Sequence, residues 1–201
     1  MHKLILIGAG GHAKSCLDLI ESIKKYKILG FIDNKKKETF EKYKVLGCDS
    51  FLKNIRDKDK TNIAITIGQI KDYKKRKNIF LKVKNMGFKF PVIISKYAVV
   101  SKKAKIDKGT MIFSNALINR GASIGSNTII NSYALIEHDV SIGSNTHIST
   151  RATINGNVLI GSNTFIGSGA IIKEGVSIGK NCIIGMGSVI KKNIKNNSII
   201  K

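Results

Sequence analysis

The chain has 201 residues, 42% of them hydrophobic, and a formal net charge of +22 from 35 basic against 13 acidic side chains. That length allows one large domain or two small ones with a buried core, and no run of about 18 apolar residues is present to span a membrane. The charge is mostly lysine without interleaved aromatics, which reads as a solvated surface and speaks against nucleic acid binding or membrane insertion. Cys16, Cys48 and Cys182 are odd in number and far apart, so neither a disulfide framework nor a metal-ligand set is expected, and a reducing cytoplasm fits.

The opening "MHKLILIGAGGHAK" predicts a strand near 3–7, a glycine-rich turn and a helix near 12–25, without the cleavage site of a signal peptide. Gly8, Gly10 and Ala13 fit the dinucleotide fingerprint G-x-G-x-x-G/A, and Asp33 follows a second strand, "KILGFID", near 28–32. Further strands are predicted near 62–67 and 89–94, and helices near 50–56 and 71–86. These elements make half of a doubly wound dinucleotide fold. A half-Rossmann unit can seat phosphate at its first helix N-terminus but lacks the second half that clamps nicotinamide. A nucleotide-sugar diphosphate is therefore a better expected ligand than NAD; the glycines could instead serve only strand–helix packing. His12 lies in the turn and either touches phosphate or ribose or caps the helix. Gly68, ending "IAITIG", lies at another strand C-terminus, where ligands of α/β folds collect. Pro91 marks the expected boundary, giving domains 1–91 and 92–201.

The second half is governed by a repeat. From Ile106 to Ile190 every sixth residue is isoleucine, and two residues before each lies a small or β-branched residue. A helical period of 3.6 cannot hold that register, and one strand cannot run so far. "IGSNT" recurs at 124, 142 and 160. The pattern predicts a left-handed parallel β-helix, each triangular coil made of three hexapeptides with isoleucine inside and Gly, Ser or Asn at the corners.

Between residues 109 and 172 the only charged side chains are Arg120, Glu137, Asp139 and Arg151. Two of them flank His138 in "LIEHDVSI". The register fixes Ile136 and Ile142 as core and sends His138 outward at a corner, where a neighbouring carboxylate can hold imidazole in one tautomer. His147 lies half a coil further on; within one chain the two histidines should face different directions, and packing of copies could bring both to one groove. A zinc site would need a third histidine, so no metal is expected. Glu137 has no evident role beyond electrostatic support.

A "LIGAGGHA"-type α/β domain followed by hexapeptides, "IEHD" and "THIS" resembles the acetyl-CoA-dependent sugar acetyltransferases, which include sialic acid O-acetyltransferases and UDP-4-amino-sugar N-acetyltransferases. The resemblance covers roughly residues 3–190. It implies that His138 is the general base, oriented by Asp139, where glutamate is also common. It places Asn131 near the acceptor sugar, and Gly8, Gly10, Gly11, His12, Asp33 and Asn34 around its nucleotide or sugar portion. It places His147 near the acetyl-CoA thioester, and Gly156, Gly167, Ser168 and Gly185 along the pantetheine groove, where backbone N–H groups can also stabilise an oxyanion. It implies homotrimers with active sites between subunits, and direct transfer without a covalent acetyl-enzyme. The family's G-x-P-A turn is not found before "NNSIIK", so either a less enclosed coenzyme adenine or a truncated chain is expected. The readings in view are N-acetylation of a UDP-linked 4-amino-4,6-dideoxy-sugar in bacterial surface glycan synthesis, O-acetylation of sialic acid or a related nonulosonic acid, and a non-catalytic NAD- or sugar-binding trimer.

Overall fold

The computed structural model describes residues 1–34, 38–70 and 72–201. They form two compact units, Met1–Gly68 with Lys75–Pro91, and Gln69–Lys74 with Val92–Lys201.

The first unit is an α/β sandwich. Its elements are β1 (His2–Ile7), α1 (Gly11–Ser22), β2 (Tyr26–Ile32), β3 (Thr39–Phe40), β4 (Tyr43–Gly47), β5 (Thr61–Ile65) and α2 (Lys74–Asn85). The sheet order is β3-β4-β2-β1-β5, parallel except for the β3–β4 pair. Leu4 to Ile7 are all buried, as a central parallel strand covered on both faces requires. Helix α1 buries Ala13, Cys16, Leu17 and Ile20 at helical spacing. Burial pushes the Cys16 thiol up to about 12, so it acts as a small apolar core residue.

Two expectations need correction, and one element was not expected. The helix near 50–56 is a 3-10 turn, Asp49–Asn54. The strand near 89–94 is two things: Lys89 makes a single bridge to Asn62, whereas Ile93–Ile94 pairs with Met111–Ile112 in the β-helix. Pro91 between them donates no backbone hydrogen bond, so one ladder cannot run through. The β3–β4 ribbon was not predicted because its lysine- and glutamate-rich segment carries the charge typical of sheet edges, which weakens the apolar alternation.

The second unit is the left-handed β-helix. Two-residue strands stack into three parallel sheets of six, five and seven strands. The inner residue of each rung is the repeated isoleucine, replaced by Val100 in one, and Ile112, Ile136, Ile148, Ile154, Ile166 and Ile172 are fully buried. Each such side chain contributes about 1.5–3 kcal/mol relative to exposure. Corners turn through a left-handed residue, including Asn127, Asn145, Asn163, Asn181 and Asn197 along one edge, a conformation asparagine tolerates best after glycine. The last turn tightens: Ile183 pairs with Ile199, 16 residues on, where the other rungs pair 18 apart.

The outer residue of each rung distinguishes the faces. The five-stranded face presents Lys105, Ser123, Ser141, Leu159 and Ser177. The six-stranded face presents an almost wholly apolar column, Val99, Leu117, Leu135, Thr153, Ile171 and Val189, of which Val99 (63%), Ile171 (43%) and Val189 (56%) are exposed.

Candidate active site

His138 sits at the corner between the apolar and polar faces. Its side chain is 58% exposed, and its Nδ1 lies 3.0 Å from Asp139 Oδ2. A carboxylate only accepts, so the proton resides on Nδ1 and the neutral ring carries its lone pair on Nε2. Asp139 reaches back because it occupies the left-handed corner position, at φ 59°. The coils on either side make room for the dyad. A Cβ on Gly121, one coil below, would strike the Asp139 carboxylate. A Cβ on Gly156, one coil above, would lie 2.7 Å from both Cε1 and Nε2 of His138. Glu137 is a strut: its Oε2 accepts from Asn119 Nδ2 at 2.8 Å and from the His138 backbone N–H at 3.3 Å. The corner is thus tied to the coil below, and the imidazole is left outside.

His147 is placed differently. It is the outer residue of a rung between Ile129 and Phe165 yet only 5% exposed. Its Nδ1 donates to the Gln69 carbonyl at 2.5 Å, and its ring meets Phe165 edge-on at 5.3 Å. Gln69 Nε2 donates in turn to the Asn145 carbonyl. The two histidines of one chain therefore do not share a surface. Asn131, Gly167, Ser168 and Gly185 occupy the corner on the other edge of the apolar face. Asn131 Oδ1 accepts from Ser132 N, and Ser168 pairs with Ser149 through their hydroxyls at 2.9 Å. The Gly167 and Gly185 N–H groups donate to the Ile184 and Ile200 carbonyls, so they are engaged in the ladder.

In the α/β unit, Gly8, Gly10, Gly11, His12, Asp33, Asn34 and Gly68 line one cavity of about 380 Å³. Gly8 takes φ +104° and a Cβ there would strike Ile67, so only glycine lets β1 pass under that loop. Asp33 Oδ2 accepts the Ala9 N–H at 2.7 Å, fixing the turn. The N-cap of α1 is Gly10, without a side-chain cap, and His12 packs against Gly68. The far wall is held from inside by Arg76. Its Nη1 donates to the Ile65 and Ile67 carbonyls at 2.6 and 2.8 Å, and its burial lowers its pKa to about 10, still charged at neutral pH. Among the described residues no group of three His, Cys, Asp or Glu is placed to hold a metal.

Comparison with known proteins narrows the readings this geometry allows to sugar acetyl transfer. Residues 3–83 match the PglD N-terminal domain, and residues 121–156 and 157–192 match the bacterial transferase hexapeptide repeat. The acetyltransferase domain of PglB from Neisseria gonorrhoeae superposes with a TM-score of 0.93 at 29% identity, over 99% of this chain and 96% of that one. The same domain is also known in complex with acetyl coenzyme A. Perosamine N-acetyltransferase from Caulobacter crescentus, solved with CoA and GDP-perosamine in a histidine-to-asparagine variant, superposes with a TM-score of 0.92 at 26% identity over 99% and 93%. No curated protein matches. The chain is a sugar acetyltransferase of the PglD type. The acetyltransferase carries several site neighbours that sequence reasoning missed. Asn119 and Gly121 lie one 18-residue coil before Glu137 and Asp139, so the repeat register could have found them. Thr66, Asp49 and Lys75 also line the cavity, and no local pattern announces them. Among the described residues of the acetyltransferase no helix is long and apolar enough to cross a membrane.

Proposed function

We propose that the chain transfers an acetyl group from acetyl-CoA to the amine of a UDP-linked 4-amino-4,6-dideoxy-sugar for bacterial surface glycan synthesis, in the cytoplasm. The observation that carries the reading is the His138–Asp139 pair at 3.0 Å, exposed at a corner in the least charged part of the β-helix. His138 Nε2 removes the proton from the amine nitrogen as that nitrogen bonds to the thioester carbonyl carbon. The C–S bond then breaks, and the imidazolium returns a proton to the CoA thiolate. Asp139 keeps Nδ1 protonated throughout and stabilises the imidazolium. The Gly156 N–H, which has no partner among the described residues, is the donor best placed for the oxyanion. A relative holds coenzyme and nucleotide sugar together in a variant with a histidine replaced, which is in keeping with a histidine that acts in the chemistry and not in binding.

In this reading residues 1–91 bind the nucleotide sugar and residues 92–201 carry acetyl transfer. Asn131 contacts the acceptor sugar. His147, Ser168, Gly156 and Gly185 contact the coenzyme, and Gly167, buried with its N–H and carbonyl both bonded within the β-helix, shapes the groove beneath it. Three copies assemble through the apolar column of Val99, Leu117, Leu135, Ile171 and Val189, a contiguous apolar stripe of the kind that marks an interface. That face has the His138 corner on one edge and the Asn131, Gly167 and Gly185 corner on the other. A three-fold arrangement brings unlike edges of neighbouring copies together, so the site is completed between subunits.

Mass spectrometry of acetyl-CoA incubations with UDP- and GDP-linked 4-amino-sugars and free or CMP-linked nonulosonic acids tests this. A product heavier by one acetyl group on the UDP-amino-sugar alone is expected. Acetylation of the GDP-sugar would move the nucleotide, acetylation of a nonulosonic acid would move the acceptor to a hydroxyl, and no acetylated product would overturn the reading.

A further inference from the structure

The cavity in the α/β unit contains a cation whose placement bears on what the acceptor must carry. Resting on the reading of that cavity as the nucleotide-sugar site, we infer that Lys75 is its diphosphate-binding residue, the side chain that selects acceptors linked through a nucleoside diphosphate. Among the described residues Lys75 is the only lysine or arginine in the lining. The two carboxylates of the lining are already engaged: Asp33 Oδ2 accepts the Ala9 N–H at 2.7 Å, and Asp49 Oδ2 is paired with Lys82 Nζ at 2.8 Å. Lys75 itself makes no ion pair among the described residues, and its backbone is fixed in the first turns of α2, one helical turn before Ile79 on the same cavity wall.

The rest of the cavity is built to receive an anion beside that ammonium. Helix α1 begins at Gly11, behind a glycine N-cap without a side-chain cap and with no acidic residue in its first turn. Its positive end is therefore not neutralised from within. A diphosphate bridging the start of α1 and Lys75 would meet donors on two sides, while Asp33 lies on the ribose side of the same turn. A lysine acts on phosphate as a point charge and not as a bidentate fork, so its contribution should scale with ligand charge. The nucleoside would then supply shape, and the diphosphate most of the charge-dependent affinity.

The test is a ligand-truncation cycle on the full chain by isothermal titration, using UDP against uridine and GDP against guanosine, with wild type, Lys75→Gln and Lys75→Arg. The inference expects Lys75→Gln to weaken the diphosphate by about tenfold, to leave the matching nucleoside unchanged and to flatten the salt dependence, with Lys75→Arg close to wild type. Equal diphosphate affinity in wild type and Lys75→Gln, with wild type binding tightly, would overturn the role of Lys75 and leave the cavity's assignment standing. Failure of wild type to bind either diphosphate would overturn the cavity's assignment and the inference with it.

Discussion

Two consecutive corners of one coil, 137–139 and 143–145, have nearly the same backbone and opposite uses. Asp139 and Asn145 take φ of 59° and 57°. At the second corner the polar groups bond along the stack: Asn127 Nδ2 donates to Asn145 Oδ1 at 2.9 Å, and Ser126 donates to Ser144. The next coil also comes so close that a Cβ on Gly143 would lie 2.5 Å from the Ser162 backbone nitrogen. At the first corner the backbone ladder is joined by one side-chain bond between coils, Asn119 to Glu137, and the next residue is left facing out with its carboxylate partner beside it. The solenoid thus specifies where a corner goes but not what it displays, so a histidine–carboxylate pair can be installed without straining the scaffold.

Exchanging the corners is the strongest way to break that comparison. Glu137→Gly, His138→Ser and Asp139→Asn together should remove acetyl transfer by at least about 10²–10⁴-fold while circular dichroism still reports the β-helix. The glycines sharpen it next. Gly143→Ala should lower stability by about 1–3 kcal/mol in denaturant unfolding, because backbone must move, and leave the chemical step intact. Gly156→Ala should do the reverse: a Cβ 2.7 Å from the His138 ring displaces an exposed side chain, so turnover falls and the unfolding midpoint barely shifts. In the α/β unit, Arg76→Met leaves the Ile65 and Ile67 carbonyls without their donor and should cost about 2–3 kcal/mol in the same unfolding assay. The smallest effect is expected from Asn119→Ala, about 1 kcal/mol, together with a few-fold loss in kcat as the corner loosens.

Legibility in the sequence followed the range of the interactions. The isoleucine column repeats every six residues, so the β-helix, its inward side and the outward position of His138 can all be read locally. The glycine loop and Asp33 follow a known spacing, and the structure gathers them in one cavity with Gly68. The burial of His147 could not be read, because it depends on Gln69, 78 residues away, folding over an otherwise outward rung. Lys75 is one lysine among many until α2 brings it to the lining of the cavity. Residues 89–94 form a mostly apolar run that reads as one strand despite the boundary expected at Pro91, and the fold pairs Lys89 and Ile93 with different units. Glu137 found its role only through its partner one coil below.

In the proposed reaction the outward imidazole of His138 takes the proton in acetyl transfer. It is tested most directly by the single-turnover rate of CoA release in His138→Ala, with coenzyme and acceptor both saturating. A fall of about 10²–10⁴-fold, with both ligands still binding at near wild-type affinity, is the predicted result. A rate within twofold of wild type would contradict it.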